Sequence, residues 1–118
     1  MAYQFPAVGH KYLVDFTADD GSGQFKVQLD FHSATSLTYT GVKPDGTLGD
    51  QPETVDITVE PIRDQLFLVT WKEQLGTTVA HLEDYKNNTI ITCITDPGPA
   101  GPPNPTFSKY HGTMTQTS

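Results

Sequence analysis

Gln24-Phe25-Lys26-Val27-Gln28-Leu29-Asp30-Phe31 alternates without a break: Phe25, Val27, Leu29 and Phe31 fall on one face, Gln24, Lys26, Gln28 and Asp30 on the other. Successive side chains of a strand point to opposite faces, so this run reads as a strand with one dry face and one wet face. Thr54–Glu60 repeats the pattern, with Val55, Ile57 and Val59 opposed by Thr54, Asp56, Thr58 and Glu60. Composition points the same way. Threonine is the most frequent residue at 17, whereas alanine occurs 6 times, and strands favour β-branched residues as helices favour alanine.

Outward from these runs, turn residues fall where a meander needs them. Asp19-Asp20-Gly21-Ser22-Gly23 follows a strand over His10–Thr17, and Asp45-Gly46 lies in a longer polar loop, Lys43–Pro52. Gln74-Leu75-Gly76-Thr77 separates Leu66–Glu73 from Thr78–Asp84, and Lys86-Asn87-Asn88 separates that strand from Thr89–Thr95. Each cluster tolerates positive φ or builds its own side-chain turn. With strands near Thr35–Thr40 and Thr106–Met114, the reading is all-β: an antiparallel up-and-down meander of about eight strands. Such a meander closes into a barrel or folds into two sheets, and the barrel is favoured here. Leu66, Phe67, Leu68 and Val69 are apolar on both faces, so the outside of that strand is expected to be covered, by this chain or another. The whole chain, 1–118, is expected to form one domain. Asp96–Pro105, with five prolines, is read as a stiff extended loop before the last strand.

Fourteen acids against seven bases give a net charge of −7. That surface repels phosphates, which argues against nucleic acid and anionic membrane as partners. No apolar run approaches the roughly 18 residues of a spanning helix, and Met1-Ala2-Tyr3-Gln4-Phe5-Pro6 does not resemble a signal peptide. Cys93 is the one cysteine, so no internal disulfide forms. A cytoplasmic setting is expected.

The chemistry-bearing residues form few motifs. His10, His32, His81 and His111 fall on different strands without metal-ligand spacing, so no metal is expected. Cys93, between Thr92 and Ile94, reads as a small buried hydrophobe. No serine elbow or phosphate-cradling glycine loop is present, and no cofactor is implied. The informative run is Val69 to Tyr85. Trp71 and Glu73 share a face with Phe67 and Val69, which sets a carboxylate beside an indole; if that face is interior, Glu73 suits proton transfer. Register decides whether His81 joins them. An even turn after Trp71 puts Ala80 opposite it and turns His81 away, whereas a three- or five-residue turn brings His81 and Glu83 onto the Trp71 face. Arg63 stands between Pro61 and Asp64, in a tight turn, although a guanidinium is also the natural clamp for a carboxylate. Tyr110 and His111 point to opposite faces of the last strand.

Trp71-x-Glu73, a Gly76-Thr77-Thr78-Val79 turn, then His81-x-x-Asp84-Tyr85 resembles the MoaF-like family, small calycin-type barrels named after a molybdenum cofactor biosynthesis protein. The closing segment from Phe107 to Gly112 adds to the likeness. The resemblance implies a lipocalin-like barrel with a central pocket for a small organic molecule. A more distant likeness is to phenolic acid decarboxylases, which work without a cofactor through tyrosines, an arginine and a glutamate. Tyr39, Tyr110, Arg63 and Glu73 would be the counterparts here, but no local motif is shared and the analogy is one of fold.

The function expected is binding of a small, largely apolar or aromatic organic molecule by Trp71, Tyr39, Tyr110, Phe67, Arg63 and His111. Glu73 or His81 would move a proton in any lyase, isomerase or cyclase step. The competing expectation is a filled barrel that serves as a structural or protein-interaction module. A homodimer is expected in either case.

Overall fold

The computed structural model describes residues 4–97 and 106–118. Eight strands follow in order: β1 (Lys11–Ala18), β2 (Gln24–Ser33), β3 (Ser36–Val42), β4 (Glu53–Arg63), β5 (Leu66–Lys72), β6 (Thr78–Asp84), β7 (Thr89–Asp96) and β8 (Thr106–Gln116). Each pairs antiparallel with the next, and β8 returns to β1, so the sheet closes into a barrel. The sandwich alternative is thereby excluded. Among the described residues no helix is long and apolar enough to cross a membrane. The loop expected at 96–105 falls largely outside the described residues.

Alternation places the core as expected. Tyr12, Val14, Phe16 and Ala18 of β1 point inward, as do Leu29 and Phe31 of β2, Val55 and Ile57 of β4, and Phe67, Val69 and Trp71 of β5. Outside, threonines pair across strands: Thr38 with Thr54 at 2.6 Å, and Thr58 with Thr70. Cross-strand hydroxyl pairs of this kind stabilise the wet face, which accounts for the threonine-rich composition. The outer side chains of β5 are only half-buried. Leu68 lies opposite Leu82 and Leu82 opposite Ile91, so they form an apolar row on the barrel's outside. Cys93 departs from expectation: it is half-buried and outward, opposite Ala80, because Ile90 and Thr92 take the inner face of β7.

The two ends of the barrel differ. At one end the segment before β1 folds inward as a stopper. Phe5 packs edge-on against Phe31, Phe67 and Tyr85 at 5.3, 5.1 and 5.7 Å between ring centres, and Ala7 is fully buried. Gly9 N–H donates to the Phe31 carbonyl and Phe31 N–H to the His10 carbonyl, which tie the stopper to β2. At the other end stand the β1–β2, β3–β4 and β5–β6 connections. The β3–β4 seam is short, running from Ser36↔Asp56 to Tyr39↔Glu53.

Closure rests on one glycine. Gly112 of β8 lies opposite Phe16, and a Cβ there would stand 1.9 Å from the Asp15 carbonyl oxygen. No side chain fits at that distance without moving the backbone of β1. Gly112→Ala should therefore lower stability by about 1–3 kcal/mol, the usual cost of forced overpacking, read as a lower urea midpoint. Phe5→Ala should cost about 3 kcal/mol through the cavity it leaves among three aromatic rings. A Phe5→Ala midpoint equal to that of the parent protein would show that the stopper does not hold the closed end.

Candidate functional site

The β5–β6 turn settles the register. Glu73 N–H donates to the Thr77 carbonyl at 2.7 Å and Gly76 N–H to the Glu73 carbonyl at 2.9 Å. Gly76 takes φ of 96°, a conformation that glycine adopts without a Cβ penalty. Five residues, 73–77, thus separate the ladder pair Lys72↔Thr78; Trp71 lies opposite Val79, and His81 opposite Val69. His81 and Glu83 face the interior with Trp71. β5 ends at Lys72, so Glu73 opens the turn at the mouth rather than ending the strand.

Glu83 is fully buried and His81 is 3% exposed. The Glu83 carboxylate uses both oxygens: Tyr85 hydroxyl donates to Oε1 at 2.6 Å, and His81 Nδ1 lies 2.9 Å from Oε2. An ionised carboxylate accepts only, so in the neutral imidazole Nδ1 carries the proton and Nε2 is the ring nitrogen left unpaired. Burial, then the Glu83 charge, pushes the Tyr85 hydroxyl far above its ordinary value, and Tyr12 rises for the same two reasons. Both remain neutral donors. Below them Asp84 caps the β6–β7 turn through the backbone N–H groups of Lys86 and Asn87.

Above this network the barrel is hollow. A cavity of about 240 Å³ opens toward the mouth, with Phe16, Phe25, Tyr39, Trp71, His81 and Thr92 in its wall. Trp71 meets His81 edge-to-face at 4.7 Å and stacks with Tyr39 at 6.1 Å. The rim is acidic. Trp71 Nε1 donates to Glu73 Oε2 at 3.1 Å, and the Tyr39 hydroxyl donates to Glu53 Oε1 at 2.9 Å. Burial, then the Glu53 hydrogen bond and the neighbouring Glu73 charge, raises Tyr39 well beyond the usual phenol range. Lys26 also lines the cavity.

Of the residues expected at a site, the structure brings Trp71, Tyr39, Glu73 and His81 together. Tyr110 faces inward but flanks the wall, packed edge-on against Phe25 at 4.9 Å. The other three stand elsewhere. Phe67 is buried against the Phe5 stopper in the closed half. Arg63 is exposed beside the β4–β5 turn, at the end opposite the mouth. His111 is outside the barrel, where it and Lys109 pair with Asp19 at 2.8 and 3.1 Å. Those two partners hold the exposed Asp19 carboxyl below its ordinary range. Sequence reasoning did not select Phe16, Phe25, Glu53 or Thr92 as site residues. The parity of Ile90, Thr92 and Ile94 carried the signal for Thr92; nothing local marked Glu53.

The comparisons with known proteins agree with this fold. No curated protein sequence matches the chain significantly. A solved structure from Burkholderia vietnamiensis, described as that of a candidate beta-lactamase, superposes with a TM-score of 0.74 at 17% identity, covering 98% of this chain and 100% of that one. At that identity the likeness is one of fold. The MoaF-like family profile matches residues 8–115, a span that takes in all the strands but the end of β8 and every residue of the cavity wall. The chain belongs to the MoaF-like family.

Proposed function

We propose that the protein binds a small, largely apolar aromatic molecule in the mouth half of the barrel, where His81 moves a proton on it without a cofactor. The observation that carries this reading is a hollow aromatic cavity with a basic imidazole nitrogen held in place from behind by a buried carboxylate. Aromatic walls with few polar groups are the usual lining of a small-molecule site. An apolar cavity of about 150 Å³ accommodates benzene, so 240 Å³ suits one or two rings. A histidine fixed by a carboxylate partner is the common form of a general base. Isomerisation, elimination or cyclisation, each needing one proton moved, falls within its reach. Glu73 is the weaker proton carrier, because its carboxylate is engaged by Trp71 Nε1 at the rim. The filled-barrel reading fits the closed half alone, where the Phe5 stopper occupies the interior.

Trp71 is the only tryptophan and stands in the wall, so its fluorescence should report binding directly. Uncharged one- and two-ring aromatics should quench or shift that emission and raise Tm with concentration, by about 2.7 kcal/mol of stabilisation at 100 times Kd. Val27 lines the cavity and is half-buried; Val27→Phe should fill the space and abolish both signals while the fold persists. If a broad panel moves neither signal in the parent protein, the binding reading fails. For any ligand that is turned over, His81→Asn should lower kcat by about 10²–10⁴-fold with binding retained. Turnover undiminished by His81→Asn would remove the imidazole from the chemistry.

A further inference from the structure

We propose that the inner end of this cavity is a hydroxyl site, where Thr92 Oγ1 and His81 Nε2 together take the O–H group of a neutral one- or two-ring aromatic molecule. The inference rests on the pocket reading above and names the chemistry it selects. Thr92 is fully buried in the cavity wall, and among the described residues its hydroxyl is the buried side-chain polar group without a hydrogen-bond partner. An unpaired buried hydroxyl is a net cost to folding, and native structures keep few of them. Valine would have the same shape at this position without that cost. Thr92 therefore reads as a donor kept for something that enters the cavity.

What enters is defined by the neighbour. Thr92 lies directly opposite His81 in the β6–β7 ladder, and inner-face partners of this kind have Cβ atoms about 4.5–5.5 Å apart. Glu83 occupies His81 Nδ1, so in the neutral ring Nε2, on the far side, offers a lone pair. The pair thus presents one donor and one acceptor side by side. A hydroxyl answers both: its proton goes to Nε2 and its oxygen accepts from Thr92. A methyl ether can satisfy only the threonine. A carboxylate satisfies neither Nε2 nor the rim, where Glu53 and Glu73 already crowd Tyr39.

Calorimetric titration of 2-naphthol, 2-methoxynaphthalene and 2-naphthoate into the parent protein, Thr92→Val and Thr92→Ser tests this. In the parent, 2-naphthol should bind about tenfold more tightly than its methyl ether, the worth of one added neutral hydrogen bond. Thr92→Val should weaken naphthol and ether alike by about tenfold, because both lose the threonine hydrogen bond while the preference supplied by Nε2 stays, and Thr92→Ser should restore both affinities. Ligand-free Thr92→Val should also melt a few degrees higher than the parent, since it removes an unpaired buried hydroxyl. Equal binding of naphthol and ether, or affinities for both that Thr92→Val leaves unchanged, overturns the hydroxyl site while the pocket stands. Tighter binding of 2-naphthoate overturns the choice of a neutral ligand. If none of the three binds, the pocket reading itself fails, and the hydroxyl site with it.

Discussion

A carboxylate with no access to water sits at the centre of this barrel, and the interior is arranged around it. Isolated in an apolar core, the Glu83 charge would be severely destabilising. The chain answers with two donors from its own strand and turn: His81, two residues before it, and Tyr85, two residues after. Both lie on the inner face by the period of the strand. Tyr85 is fixed in turn by its ring contacts with Phe5 and Phe67 and by its N–H bond to the Gln65 carbonyl. The stopper at the closed end thus reaches His81 through Tyr85 and Glu83. A ring whose Nδ1 is held this way is fixed in orientation.

That arrangement exists only in one register. Had the β5–β6 turn been one residue shorter or longer, Glu83 would face solvent, harmless and idle, and Ala80 and Leu82 would line the cavity. Gly76 therefore acts at a distance. Its left-handed backbone sets the five-residue turn, the turn sets the ladder, and the ladder delivers His81 to the wall beside Trp71. Asp84 serves the other end of the same strand by holding the β6–β7 turn. The residues of the Trp71–Tyr85 run are thus parts of one arrangement: wall, rim, turn, imidazole and clamp.

The barrel was legible because most of its strands obey strict alternation and its turns carry glycine, aspartate or asparagine. Trp71 and Glu73 were legible as site residues for the same reason. The register was not, since an odd and an even turn satisfy the apolar pattern of β6 about equally: Val79 on one side, Ala80 and Leu82 on the other. Arg63 and His111 attracted attention by chemical type, but position in a closed barrel depends on which end a residue occupies and which way it faces. Arg63 lies at the stopped end and His111 points outward. Phe5, before Pro6 and outside any alternating run, had no pattern to announce it, yet it decides which end is open. Glu53 is paired with Tyr39 only by the β3–β4 ladder, a contact between segments separated by a long loop.

The asymmetry between the two ends follows from where rigidity is needed. Aromatic packing around Phe5, Phe31, Phe67 and Tyr85 occupies the closed half, and the buried carboxylate depends on that packing to keep water out. The mouth half has the shorter β3–β4 seam, the longer loops and the hollow. An imidazole held from the packed side and standing in the wall of the hollow needs both halves. Were the whole interior packed, no ligand could reach Nε2; were it hollow throughout, Glu83 would be hydrated and would hold His81 loosely. The division of one small barrel into a dry half and an open half is therefore the condition under which a buried carboxylate can hold an imidazole in the wall of a cavity.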